Sequence, residues 1–276
     1  MKTTLLILAL TTCTFSFSQG LIDGYFKGKG NIDIALSGFT QTAKSYFAGE
    51  TEVVLGGPLG STIFPESEKT FNSLGLFAEY GITDKWDVII NAPFINQVFQ
   101  DGSIATKYEA VKTKVGGRDF SVIPALQVSF PLSDYETENL NSVGQKATLI
   151  SPKVVVQHNL PGGLFIQAQT GYNYALDPVA SSVGASVKLG GSFGKFYVDA
   201  WYNFQHGFGD KDFLTPPAVS FREYTVSFQQ FGGVVYYGIT DMFGIFANAS
   251  FIFDGRNAYK MPGFGGGLVV KLHLND

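Results

Sequence analysis

From Gly28 onward apolar and polar residues alternate with a period of two, and no stretch carries the 3.6-residue period of an amphipathic helix. In residues 195–208, Phe196, Val198, Ala200, Tyr202 and Phe204 share one face, and Tyr197, Asp199, Trp201, Asn203 and Gln205 share the other. Leu164, Ile166, Ala168, Thr170 and Tyr172 likewise oppose Phe165, Gln167, Gln169, Gly171 and Asn173. Phe243, Ile245, Ala247, Ala249, Phe251 and Phe253 oppose Gly244, Phe246, Asn248 and Ser250. The pattern predicts about twelve strands, centred in residues 28–40, 70–81, 86–98, 107–115, 119–130, 146–159, 164–174, 179–190, 195–208, 221–237, 242–253 and 263–274.

The connections alternate in length. Short ones fall at 82–85, 116–118, 160–163, 191–194 and 238–241, and longer ones between them at 41–69, 99–106, 131–145, 209–220 and 254–262; the link at 176–178 is short but falls among the long ones. Bacterial outer-membrane barrels have this layout, with an even strand number, short periplasmic turns and longer external loops. Twelve strands put both ends of the barrel in the periplasm, whereas eleven or thirteen break the parity. The expected fold is therefore all-β, a transmembrane antiparallel up-and-down barrel.

Composition agrees. The chain has 33 Gly, 26 Phe and 13 Tyr in 276 residues, with 15% charged residues. A soluble domain usually carries about a quarter charged residues; strands with one face in lipid do not need them. Nineteen Lys and Arg against 23 Asp and Glu give net charge −4 and no basic tract, which argues against nucleic acid as a partner.

Ahead of the strands, Lys2, the apolar run Leu5 to Leu10 and the small residues around Ser16-Phe17-Ser18 have the layout of an export signal. This divides the chain into a signal at 1–18 and a barrel at 19–276. The apolar run is too short to remain as a spanning helix, and no later run approaches the roughly 18 apolar residues that one needs. The single cysteine, Cys13, lies within the signal, so the mature chain has no disulfide or thiolate metal site. Leu10-Thr11-Thr12-Cys13 loosely resembles a lipoprotein cleavage box, but Thr12 is large for it.

Tyr80-Gly81-Ile82-Thr83-Asp84 recurs as Tyr237-Gly238-Ile239-Thr240-Asp241, each time between two strands. Gly permits the turn and Asp tolerates and bonds its backbone; convergence on a good turn and duplication of a hairpin explain the repeat equally well. The first copy extends through Lys85-Trp86-Asp87-Val88 and Ala92-Pro93-Phe94. With the preceding Phe77-Ala78-Glu79 it resembles the signature hairpin of outer-membrane transporters of the MetA-pathway of phenol degradation, similar in style to FadL-type fatty-acid and aromatic-hydrocarbon channels. The resemblance covers residue 70 onward and implies passive uptake of small, often apolar molecules. The Asn-Pro-Ala start of the fatty-acid channels' plug is absent from residues 20–31, so no plug is carried over, and the chain ends without an aromatic residue.

If the apolar faces meet lipid, the opposite faces line a lumen holding both signs of charge. Asp87, Asn91, Asp199, Trp201, Asn203 and Lys271 are the candidate solute contacts. Asp199, Trp201 and Asn203 lead, because an aromatic plane beside hydrogen-bonding groups suits a small amphipathic solute. The bland alternative is that these groups satisfy one another inside a small barrel. His158, His206 and His273 show no metal spacing, and the positions two residues on hold Leu160, Phe208 and Asn275 rather than a serine nucleophile. No phosphate loop occurs and no His has a serine two residues on, so neither an enzyme nor a cofactor is expected. The expectation is a Gram-negative outer-membrane channel or transporter for small solutes, hydrophobic or aromatic ones included, whose partners are membrane lipid and solute. The alternative is a plugged structural or adhesive barrel, and the sequence sets no oligomeric state.

Overall fold

The computed structural model describes residues 22–58, 66–137, 144–213 and 221–274. The strands in chain order are β1 (Asn31–Ala43), β2 (Ser45–Ala48), β3 (Thr51–Val54), β4 (Lys69–Thr83), β5 (Trp86–Ile95), β6 (Val98–Phe99), β7 (Asp101–Tyr108), β8 (Val111–Val115), β9 (Arg118–Pro131), β10 (Leu149–Asn159), β11 (Leu164–Ala175), β12 (Ser182–Phe193), β13 (Phe196–Gly207), β14 (Ser227–Gly238), β15 (Phe243–Arg256) and β16 (Ala258–His273). Each long strand pairs antiparallel with its neighbours in the chain, and β1 closes on β16 from Asn31 opposite His273 to Gln41 opposite Gly263. Because β7 and β8 both pair with β9, and β2, β3 and β6 lie beyond the wall, the result is a closed twelve-strand barrel. Closure leaves no open sheet edge, which is what allows β-structure to sit in hydrocarbon.

The alternation read from the sequence is the in–out alternation of the wall. On β11, Phe165 and Gln167 are buried while Leu164 and Ile166 are exposed; on β13, Asp199 and Trp201 are buried while Val198 and Tyr202 are exposed. Leu36, Leu76, Ile90, Val154, Val187 and Leu268 belong to an apolar band on the outside. Trp86 and Tyr108 stand at its turn end, Tyr172 and Tyr174 near its loop end, the levels at which amphipathic rings suit a lipid–water boundary. Among the described residues no helix is long and apolar enough to cross a membrane.

Two expected loops are strand instead. Residues 101–106 belong to β7 and 254–262 almost wholly to β15 and β16, although both carry an Asp-Gly pair. The chain reverses ahead of the first, at Asn96 and Gln97, with φ of 47° and 72°, and within the second at Asn257, with φ of 51°. Within β7, glycine at 102 leaves room for Leu132, whose Cδ1 would come 2.7 Å from a Cβ there. The fourth strand, expected as one piece over 107–115, is β7 and β8 with a break at Glu109 and Ala110. Beyond the barrel at the loop end, β2 and β3 form a hairpin on an extension of β16, where Tyr46, Phe71, Ile95 and Tyr259 pack into a small core.

In the repeated turn, threonine does what was expected of aspartate. Thr83 Oγ1 accepts the amide of Lys85 at 3.2 Å, and Thr240 Oγ1 accepts the amide of Phe243 at 3.0 Å. Asp84 is used differently: its Oδ1 accepts the amide of Lys29, 3.1 Å away.

Candidate functional site

The sequence ahead of β1 enters the lumen, against the expectation that no plug is carried over. Gly28 and Gly30 both have φ of 78°, so the strand expected from Gly28 starts only at Asn31. The turn brings this segment so close to β4 that a Cβ on Gly81 would meet the carbonyl carbon of Gly28 at 2.7 Å. Residues 22–27 are then held by side chains of the wall. Ile22 donates its amide to Gln169 Oε1 at 3.0 Å and accepts from Gln167 Nε2 at 3.0 Å, while Gly24 donates to Gln167 Oε1 at 3.1 Å. Ile22 packs among Ile89, Ala105, Ile123 and Val155, and Tyr25 meets Phe165 edge to face at 5.3 Å.

An ionic network fixes the same segment. Lys107 Nζ, fully buried, lies 2.8 Å from Asp23 Oδ1, 2.7 Å from Glu79 Oε1 and 3.7 Å from Asp87 Oδ2, and it also donates to the carbonyl of Tyr25. Lys27 Nζ reaches Asp33 at 3.0 Å and Glu79 at 3.2 Å, and its amide donates to Asp87 Oδ2 at 3.1 Å. Buried charges are tolerable only in such company, because desolvation without partners is prohibitive.

Above this plug, toward the loop end, the lumen holds a cavity of about 300 Å³. Its walls differ. Phe228, Ile252, Tyr259 and Met261 bring aromatic and aliphatic surface, while Gln127, Ser151, Ser186, Asn203 and Gln205 bring amides and hydroxyls. Lys153 also lines it, with Nζ donating to Gln127 Oε1 at 2.8 Å. A second, polar pocket of about 230 Å³ lies on the other side of the plug, among Tyr25, Asp84, Glu109 and Gln157.

The six sequence candidates do not form one site. Asn91 and Asn203 line the large cavity. Asp87 belongs to the plug network. Asp199, 3.5 Å from Lys188 Nζ and accepting from Tyr197 at 2.7 Å, is part of the packed wall below the cavity. Trp201 lies across Gly232, where a Cβ would come 2.7 Å from its Cη2. Lys271 is remote, at the turn end, with Nζ 5.1 Å from the Tyr236 ring centroid. Sequence reading missed Lys107, the hub of the network, because the strand carrying it was started six residues late; started at Asp101, the strand puts Asp101, Ser103, Ala105 and Lys107 on one face.

The cavity rim is clasped outside the wall. Arg256 donates to both carboxylate oxygens of Asp212 at 2.7 Å, and Asn257 Nδ2 donates to Asp212 Oδ1 at 2.9 Å. Asn257 Oδ1 accepts the amides of Gly49 and Phe213 at 2.9 and 3.1 Å. The Arg256 hydrogen bonds hold the Asp212 carboxyl below its usual pKa, against a smaller opposing effect of burial. The long connection at 209–220 includes residues 214–220, with Pro216-Pro217, which lie outside the described residues.

No protein-family model matches the chain, and no curated protein matches its sequence. Among solved structures it is similar to an outer-membrane channel from Pseudomonas putida F1, with a TM-score of 0.68 and 11% identity over 92% of this chain and 100% of that one. The fold is that of an outer-membrane β-barrel. The NanC porin is similar at a TM-score of 0.54 and 10% identity, over 86% of this chain and 100% of the porin. The KdgM porin is similar at 0.52 and 9%, over 88% and 99%. At such identities the likeness extends to the barrel and not to its cargo.

Proposed function

We propose that the chain is exported by the signal at 1–18, sits in the outer membrane of a Gram-negative cell with its turn end in the periplasm, and passes small solutes down their gradient. The observation that carries this reading is the two-faced cavity in the lumen, with one wall of rings and aliphatic groups and one of amides and hydroxyls. Such a lining suits small amphipathic molecules, aromatic ones among them, in line with the uptake of apolar compounds implied by the hairpin at 77–94. Solved barrels similar in fold are described as channels and porins, which agrees with it.

The plug favours a second reading, a closed barrel whose outer surface serves a partner. Reconstitution of the mature chain, residues 19–276, separates the two. Heat-modifiable gel migration reports the folded barrel, and planar-bilayer conductance with liposome swelling reports passage. A folded barrel that conducts, and conducts more when residues 22–27 are deleted, fits the channel. A folded barrel silent in both forms leaves only the closed barrel.

A further inference from the structure

One row of inward residues crosses the polar wall at the level of the plug tip. Val155 on β10 stands opposite Gln169 on β11, Gln169 opposite Ser186 on β12, Ser186 opposite Asn203 on β13, and Asn203 opposite Gln230 on β14. The two ends of the polar run are occupied: Gln169 accepts the amide of Ile22, and Gln230 donates to Ser250 Oγ at 3.2 Å. The middle is not. Ser186 Oγ, in a residue only 5% exposed, and Asn203 Oδ1 have no hydrogen-bond partner, and both residues line the large cavity. Buried polar groups in folded proteins are otherwise paired almost without exception, so adjacent orphans facing a cavity call for a ligand or solvent.

We infer that Ser186 and Asn203 are the polar anchor for an uncharged, hydroxyl-bearing solute, whose apolar part lies toward Ile252 and Phe228 across the cavity. This rests on the channel reading and names its solute class. A hydroxyl answers both groups at once, donating to the amide oxygen and accepting from the serine. The row itself carries no charge. The charges nearest along the two strands, Lys188 and Asp199, are spent on each other at 3.5 Å. Lys153 is one inward position nearer the loop end, opposite Gly171, and the test must show that it does not turn the site toward anions.

The test uses the full barrel in lipid discs with Trp86→Phe, which removes the outward tryptophan and leaves Trp201, two residues from Asn203, as reporter. Benzyl alcohol, toluene, benzoate and benzylammonium are titrated separately. Saturable change in Trp201 emission is expected with benzyl alcohol, about tenfold weaker with either ion, which loses one of the two hydrogen bonds, and at least tenfold weaker with toluene, which loses both. Ser186→Ala and Asn203→Leu, each checked for heat-modifiable migration, should each weaken benzyl alcohol about tenfold. Equal affinity for toluene, tighter binding of benzoate, or no response to benzyl alcohol overturns the anchor, and the wild-type series decides this even if a variant fails to fold. Conductance of the same proteins in planar bilayers keeps the two readings apart. Selective binding without conductance removes the channel and leaves the anchor; conductance without selective binding removes the anchor alone.

Discussion

Phe39 covers Gly263 across the seam that closes the barrel: a Cβ on that glycine would come 2.7 Å from Phe39 Cζ. The arrangement recurs around the inner wall. Phe165 covers Gly190, Phe246 covers Gly267 and Trp201 covers Gly232, each within 2.8 Å of where a Cβ would stand. An inward ring thus rests on a neighbouring strand's glycine, which keeps the ring out of the lumen and compensates the glycine's lack of a side chain to pack. Gly263→Ala should therefore destabilise the folded barrel by about 1 to 3 kcal/mol, as overpacking does. Combining it with Phe39→Leu should restore part of the loss, a coupling read from urea unfolding in lipid vesicles. Simple additivity of the two changes would sink the idea.

Among the described residues, Lys107 is the one cation that touches Asp23 of the plug together with Glu79 and Asp87 of the wall. Lys107→Met should loosen residues 22–27 and raise single-channel conductance. It should also destabilise the barrel by about 3 to 5 kcal/mol, since carboxylates stay buried without their partner. Conductance equal to that of the unaltered protein would show that the plug is held without it.

The clasp at the rim should respond to acid. The carboxyl of Asp212 is depressed in the folded chain by Arg256, so the clasp's contribution is fully present above the ordinary aspartate pKa of about 3.9. It is lost as pH falls through the lowered folded value. Protection of the Gly49 and Phe213 amides, which Asn257 holds, against hydrogen exchange relative to the intrinsic rate at each pH should fall only below that range. Asp212→Asn should remove the pH dependence and leave protection low throughout.

Asp199 and Asn203 share a strand face, yet they should behave differently. Asp199→Asn breaks the ion pair with Lys188 and should lower stability while leaving the affinity for a neutral solute unchanged. Loss of solute affinity on that substitution, measured by the Trp201 titration, would place Asp199 in the site after all.

The wall was legible because lipid and lumen impose opposite chemistries on alternate residues; β11 and β13 write that contrast residue by residue. β7 was hidden because Asp101-Gly102 has the composition of a turn, and the strand choice removed Lys107 from view with it. Residues 22–27 could not be assigned from periodicity, since a segment held by side chains follows no ladder. Asn203 was legible from its strand face, but Ser186 was not: a lone serine among Gly184, Ala185 and Val187 carries no chemical signal until its cross-strand partner is known.

The described contacts of residues 22–27 with the wall use side chains: Gln167, Gln169, Asp87, Glu79 and Lys107. No rung of the β-ladder runs through that segment, whose backbone pairing to β4 begins only at Gly30 with Gly81. Stopper and cask are therefore separate pieces of joinery. These six residues can be withdrawn, shortened or rewritten without shifting the register of a single stave.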